Sequence, residues 1–458
     1  MRRILKMSDV ISQKIPKRIL SSLLASVSAG VVPRSGAPYI AIGRRDEIEA
    51  LLSDLEETGE GGGRMRFLIG RYGSGKSFLI QLIRGYALER NFITADADLS
   101  PERRLYGSNG SGIATYRELI KNLASKTSPD GGALSKLVTR WIDDIRAGLV
   151  REGFSMNDPA LDAALEARVY EELRSIEGLV GGFDFARIMV EFYRAYACGD
   201  EDKKSACMRW LRGEYATKTE AQSALRFRVS LIIDDDNWYD FIKIWASLVR
   251  KMGYRGLVVF IDECVNLYKI THRVSRENNY EKILSMFNDT LQGRAEGLDI
   301  IMGGTPQFLE DSRRGLFSYE ALKSRLCDSR FAGGEFKNLI GPVIRLRRLS
   351  DEELFALIGR ITKLYAQNYG CEPRISEEQM QKFLSICLER AGADMMITPR
   401  EMLRDYMTVL NILMQNDNAT FEQIVGETSV GAPTHVRQEE KPAAAPRTVN
   451  FNPEDIEF

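Results

Sequence analysis

The spacing of hydrophobic positions changes several times along the chain, and each change marks an element. Met65-Arg66-Phe67-Leu68-Ile69, introduced by the turn Gly61-Gly62-Gly63, is a short apolar run that predicts a buried strand. Phe78, Leu79, Leu82 and Ile83 then recur at helical spacing, and Phe92 to Asp98 alternates with period two. Gly256-Leu257-Val258-Val259-Phe260-Ile261-Asp262-Glu263 is a continuous β-branched and aromatic run, the pattern of a strand buried on both faces. Leu298 to Pro306 predicts a fourth strand, and Phe336 to Leu346 a last one running into Arg345-Leu346-Arg347-Arg348. Strands separated by helical segments predict an α/β protein with a parallel sheet between helices.

Two stretches are helical throughout. In 113–255, Leu134, Leu137, Trp141 and Ile145 mark one helix, and Phe185, Ile188, Met189, Phe192 and Tyr193 mark another. Trp210, Leu211 and Gly213 close a third segment; a fourth carries Phe241, Ile242, Ile244, Trp245 and Leu248 behind Asp234-Asp235-Asp236. Aromatics at this spacing read as core, and the three acids as favourable charge at a helix N-terminus. From Leu349 onward Ser350 with Glu353 and Thr398-Pro399-Arg400-Glu401 are helix starts of the capping-box type. Ser100-Pro101 is read as a further helix start, followed by a loop through Gly107-Ser108-Asn109-Gly110.

The expected organisation is an N-terminal helical segment (1–40), a core in two parts (41–112 and 256–349) around a mainly helical insertion (113–255), a helical lid (350–427) and a flexible tail (428–458). The tail is Pro/Ala/Glu-rich and ends in acids interleaved with Phe451, Ile456 and Phe458. Such a peptide is expected to dock in a partner's groove or to fold back on its own body.

Composition narrows the classes. The chain has 458 residues, with Lys+Arg 63 against Asp+Glu 64 and a net charge of -1. Whole-surface attraction to nucleic acid is thereby excluded, though a local basic patch is not. No apolar run approaches the roughly 18 residues that cross a bilayer, so no membrane partner is expected. Met1 to Lys6 has the charge of a secretory signal without its apolar middle. Six cysteines form no Cys-x-x-Cys, and two histidines, His272 and His435, make a structural zinc site improbable. The expected setting is cytoplasmic and thiol-reducing.

The chemistry is concentrated at the strand ends. Gly70-Arg71-Tyr72-Gly73-Ser74-Gly75-Lys76-Ser77 fits G-x-x-x-x-G-K-[ST] between a strand and a helix opening with Phe78. Such a loop aims backbone N–H groups and a positive helix end at phosphate oxygens, with glycines where the chain must come close. Residues 70–78 are therefore the expected binding segment for ATP, with Lys76 on the β- and γ-phosphates and Ser77 on Mg²⁺. Asp262, at the end of its apolar strand, is the second expected Mg²⁺ ligand, and Glu263 is placed to polarise an attacking water. Thr305 either senses the γ-phosphate or simply terminates its strand. Arg44, in Gly43-Arg44-Arg45-Asp46-Glu47, either frames the base or opens a helix. Arg400 and Arg404 sit where a helix dipole and mutual repulsion disfavour cations; they are either held for an anionic partner such as the nucleotide's phosphates or simply solvated. Arg103, Arg104 and Tyr106 are either nucleic-acid or subunit contacts or a solvated loop.

The order of phosphate loop, acid strand, polar-ended strand, arginine helix and helical lid resembles that of an AAA+ ATPase, most closely the initiator or origin-recognition branch. Within it, the chain resembles the ATP-binding proteins of bacterial anti-phage BREX systems (BrxD-like). The carrying segments are Gly30-Val31-Val32-Pro33-Arg34, Gly43-Arg44-Arg45, Arg66-Phe67-Leu68-Ile69-Gly70 through Phe78-Leu79, Asp98-Leu99-Ser100-Pro101-Glu102-Arg103, Trp210-Leu211-Arg212-Gly213-Glu214 and Thr398-Pro399-Arg400-Glu401. The resemblance implies ATP hydrolysis, action linked to double-stranded DNA, and defence-system partners such as a helicase or methyltransferase. It makes Arg400 the lid arginine and Arg325, in Ser324-Arg325, the finger reaching a neighbour's γ-phosphate in a homo-oligomer; Arg330 is the alternative finger. The family's usual Asn on the phosphate-sensing strand is replaced by Gly303-Gly304-Thr305, and no winged-helix domain is expected after the lid, so any DNA contact is expected from the body. Two functions follow: an ATP-hydrolysing remodeller on DNA, or a nucleotide-gated scaffold with little turnover.

Overall fold

A computed structural model describes residues 15–107, 110–156, 159–174, 178–328, 338–390 and 398–427. Five parallel strands form one sheet: β1 (Arg64–Ile69), β2 (Ile93–Asp98), β3 (Leu257–Asp262), β4 (Leu298–Gly304) and β5 (Val343–Arg345), in the order β2-β3-β4-β1-β5. Because β4 lies between the strand that feeds the phosphate loop and the strand that ends in acid, its carboxyl end opens between them. That end is Gly303-Gly304-Thr305.

Both sheet faces are covered, which is why its strands read as unbroken apolar runs. Phe67, Val259, Ile261, Ile300 and Met302 point into one core, and Leu68, Val258, Phe260 and Ile301 into another. The second core is completed by the helices Lys76–Glu89 and Arg45–Gly59. The first runs without a break into the helical insertion, through Trp141, Phe185, Trp210, Trp238 and Trp245. The aromatics of the insertion are thus core, as their spacing predicts. Two of them share a buried chain of hydrogen bonds: Trp245 Nε1 donates to Tyr116 Oη at 3.1 Å, and Tyr116 Oη to the Leu211 carbonyl at 2.8 Å, whereas Trp141 Nε1 and Tyr239 Oη are buried without a partner among the described residues.

A third core unites the lid helices Asp351–Tyr369, Glu377–Arg390 and Pro399–Gln415 with Leu20, Leu23, Leu24 and Val27 of the helix Lys17–Ser28. Both lid capping boxes form, on Ser350 with Glu353 and on Thr398 with Glu401.

Three local expectations are corrected. Ser100-Pro101 starts no helix: Ser100 Oγ accepts from the backbone N–H groups of Glu102 and Arg103, and the next helix begins at Ser111. The segment is instead tied down by Asn279, whose Oδ1 accepts from the N–H groups of Leu105 and Tyr106. The last strand is three residues long, beginning at Val343 rather than Phe336; residues 329–337 lie outside the described ones. Asp235 serves a different helix from the one it precedes, accepting at 2.7 Å from Gly110 N and at 2.8 Å from Ile113 N at the start of Ser111–Lys121. No described helix is long and apolar enough to cross a membrane. The terminal tail also lies outside the described residues.

Candidate functional site

Where β1 ends, the chain turns through Gly70–Gly75 and enters the helix Lys76–Glu89. Gly73 is in the left-handed region (φ 76°), and a Cβ there would stand 2.9 Å from Thr398 Cγ2, the capping residue of a lid helix. The phosphate loop and the lid therefore touch at a point where only glycine fits. Lys76 Nζ donates to the loop carbonyls of Gly70 (2.9 Å) and Arg71 (3.3 Å). Burial pushes the Lys76 ammonium below the usual lysine range, against the opposing pull of Asp262 and Glu263.

Ser77 and Asp262 meet as the motifs require. Ser77 Oγ donates to Asp262 Oδ2 at 2.7 Å, across a sequence separation of 185 residues. Asp262 Oδ1 accepts from the Glu263 N–H at 2.8 Å. Gly303 on the adjacent strand makes room for this carboxylate: a Cβ there would lie 2.2 Å from Asp262 Oδ1. A hydroxyl and a carboxylate oxygen side by side, backed by a position without a side chain, form a hard oxygen donor pair suited to Mg²⁺. Glu263 follows with φ 56°, an uncommon conformation for a residue with a side chain, and its carboxylate is exposed toward the cavity. Asp98, in register with Asp262 on β2, is held above the usual carboxylate range by desolvation first and by the charges of Asp262 and Glu263 second.

These groups line one end of a cavity of about 610 Å³ between the sheet and the lid. That volume lies within the range for small-molecule sites, roughly 300 to 1,000 Å³. Its other end is apolar, built from Val27, Val32, Pro33, Ile40, Leu357 and Leu403. The contribution of Val27 and the Gly30–Pro33 ribbon is not readable from periodicity; its only signal is the Gly-Val-Val-Pro-Arg segment. A polar phosphate end joined to an apolar slot matches the two ends of a nucleotide.

The remaining site residues separate by position. Tyr72 and Phe78 line the cavity, Tyr72 with 74% of its surface exposed. Arg71 lies on an adjoining groove that shares Tyr72 and Thr305 with the cavity. Arg44 reaches the cavity wall, yet its buried guanidinium donates to the carbonyls of Ser74 (2.8 Å) and Arg347, bracing the phosphate loop from behind. Burial lowers its pKa, with Glu47 opposing. Thr305 lines the cavity and also caps the helix Pro306–Glu310, accepting from Phe308 N at 3.3 Å. Arg400 lines the cavity from the first turn of its lid helix, while Arg404 pairs with Asp405 at 3.1 Å, so the two arginines do not act as a pair. Arg325 is exposed outside the cavity, donating to the Ala321 carbonyl at 2.7 Å; Arg330 lies outside the described residues. Among the described residues no group of three His, Cys, Asp or Glu side chains could hold a metal, so a cation here would share its shell with phosphate oxygens or water.

Comparison with curated proteins finds no match. The family described as BREX system ATP-binding protein BrxC/D matches residues 15–429, from the helix that joins the lid through the lid itself. With the phosphate loop, the Ser77–Asp262 pair and the parallel sheet of a P-loop NTPase core all inside that span, the chain belongs to the family of BREX system ATP-binding proteins, BrxC/D.

Proposed function

We propose that this protein hydrolyses Mg·ATP and couples the nucleotide state of its lid to the work of an anti-phage defence complex. The observation that carries the reading is the Ser77–Asp262 contact beside an exposed Glu263, at the mouth of a cavity closed by the lid. Ser77 and Asp262 would hold Mg²⁺, which supplies charge neutralisation at the phosphates. Lys76, released from the Gly70 and Arg71 carbonyls, takes phosphate oxygens in their place; the geometry fits because both partners are weak neutral acceptors. Glu263 accepts the proton of the attacking water. Arg400 contacts the phosphates from the lid, and the apolar slot takes the base.

Arg325 lies outside the cavity of its own chain, which favours a role in a neighbour's site and hence a homo-oligomer. Double-stranded DNA and a helicase- or methyltransferase-type partner belong to the same proposal, with contacts made by the body or by the 449–458 peptide. The second reading, a scaffold with little turnover, has the broad insertion in its favour and Glu263 against it.

Steady-state turnover of the full chain, with and without double-stranded DNA, separates the two. Glu263→Gln is expected to slow hydrolysis by about 10²- to 10⁴-fold while leaving Mg·ATP bound. Mixing Glu263→Gln with Arg325→Ala is expected to restore part of the activity, since mixed interfaces contain one intact site. Equal turnover by wild type and Glu263→Gln refutes the hydrolase reading, and no recovery on mixing refutes the shared site.

A further inference from the structure

We infer that Lys269 is a further phosphate-binding cation of this site beside Lys76 and Arg400, contacting the γ-phosphate and so distinguishing ATP from ADP. The inference rests on the nucleotide reading above and concerns a residue that no motif in the sequence marks.

Lys269 follows the short helix Val265–Tyr268, directly after Asp262-Glu263. Glu263, Val265 and Lys269 all line the cavity. Val265 and Lys269 are four residues apart, the spacing that puts two side chains on one helical face. The backbone that carries Lys269 is held on several sides. Cys264 N donates to the Gly303 carbonyl at 3.0 Å, Asn266 Nδ2 to the Leu99 carbonyl at 2.8 Å, and Lys269 N to the Val265 carbonyl at 3.1 Å. Tyr268, pointing elsewhere, donates its hydroxyl to Asp311 Oδ2 at 3.1 Å.

The ammonium itself is exposed and forms no ion pair among the described residues. Arg400 approaches from the lid side, and several other arginines near the site are occupied. Arg44 is bonded to backbone carbonyls, Arg347 to Glu353, and Arg404 to Asp405. A fixed backbone bearing an uncommitted cation, on the wall beside the water-polarising carboxylate, is placed for the phosphate next to that water. The γ-phosphate is that group. The wall also carries Asp262 and Glu263, with Asp98 in register behind Asp262, and their negative charge would repel a triphosphate; Lys269 offsets part of it. Lys76 serves β- and γ-oxygens together, so its loss weakens both nucleotides, whereas Lys269 should act only when the third phosphate is present.

The test is calorimetric titration of the full-length protein with Mg·ATP and, separately, Mg·ADP, comparing wild type, Lys269→Gln and Lys269→Arg. Lys269→Gln is expected to weaken ATP about tenfold, the size of one charge-assisted hydrogen bond, and to leave ADP within about twofold. Lys269→Arg should recover most of the ATP affinity. Unchanged ADP binding also shows that the variant is folded, which the exposure of Lys269 favours. If wild type binds both nucleotides and Lys269→Gln binds ATP equally well, or loses ATP and ADP in parallel, the inference is overturned while the nucleotide site stands. If wild type takes up no Mg·ATP, the site reading falls first and the inference with it.

Discussion

The two ends of the sheet use the same residue types for opposite purposes. At the carboxyl end, Asp262 is bonded to Ser77 and to a backbone N–H, Glu263 reaches a cavity, and Lys76 rests on two carbonyls. At the amino end, Asp54 is locked to Arg66 by contacts of 2.6 and 2.7 Å, both side chains being buried, and Asp299 is fully buried with no side-chain partner for its carboxylate among the described residues. Burial raises the Asp299 carboxyl well above its usual range, with Asp54 adding to the shift and Arg66 and Arg64 opposing it. Charge at the carboxyl end remains available to a ligand. At the amino end it is consumed by the fold.

The difference predicts unlike consequences for substitution, functional at one end and structural at the other. Gly303→Ala puts a methyl group on the Asp262 carboxylate and is expected to lower activity and Mg²⁺ affinity by about 10- to 100-fold, as displacing a ligand's support usually does. An Mg²⁺ titration of turnover reads this, with global stability as the control. At the other end, Arg66→Met leaves the buried Asp54 with only a 3.9 Å contact to Arg64 and breaks the contacts to the carbonyls of Ile340 and Gly341. That is expected to cost about 3–5 kcal/mol of stability, seen as a lower denaturant midpoint. A variant equally stable but unable to bind nucleotide would reverse the comparison.

The smallest effect concerns pH. The Asp299 carboxyl has a folded pKa above its unfolded one, so its contribution to stability is greatest below the unfolded pKa. As pH rises between the two values the unfolded chain has released this proton and the folded one has not, and stability falls by about 1.4 kcal/mol per pH unit. Asp299→Asn removes that slope. Unfolding midpoints of wild type and variant should diverge as pH rises, in favour of the variant; parallel profiles would show that Asp299 is ionised in the folded protein.

The carboxyl end was legible because its chemistry is local in sequence. A glycine loop, a Lys-Ser pair and an Asp-Glu at a strand end each occupy a few adjacent residues, and the structure brings Ser77 and Asp262 into contact as those motifs require. The parallel sheet followed from apolar runs interrupted by helical spacing. What stayed hidden depends on residues far apart. Nothing near Lys17–Ser28 announces that it packs with lid helices, because any amphipathic helix presents the same stripe. Gly303 looks like a loosely placed glycine until Asp262 is seen against it. The Ser100-Pro101 signal failed because a serine hydroxyl bonded to nearby N–H groups satisfies a turn as well as a helix start, and Asn279 holds the turn. The place of Lys269 on the cavity wall has no signal in the sequence, since a single lysine carries no spacing.

Mg·ATP uptake by the full chain, wild type against Lys76→Ala, tests the central claim most directly. Calorimetry is expected to show one nucleotide bound per wild-type chain and binding weakened at least about a hundredfold in the variant, because the partly buried ammonium would meet a charged phosphate there. Heat of binding that is absent from wild type, or identical in the two proteins, would contradict the account.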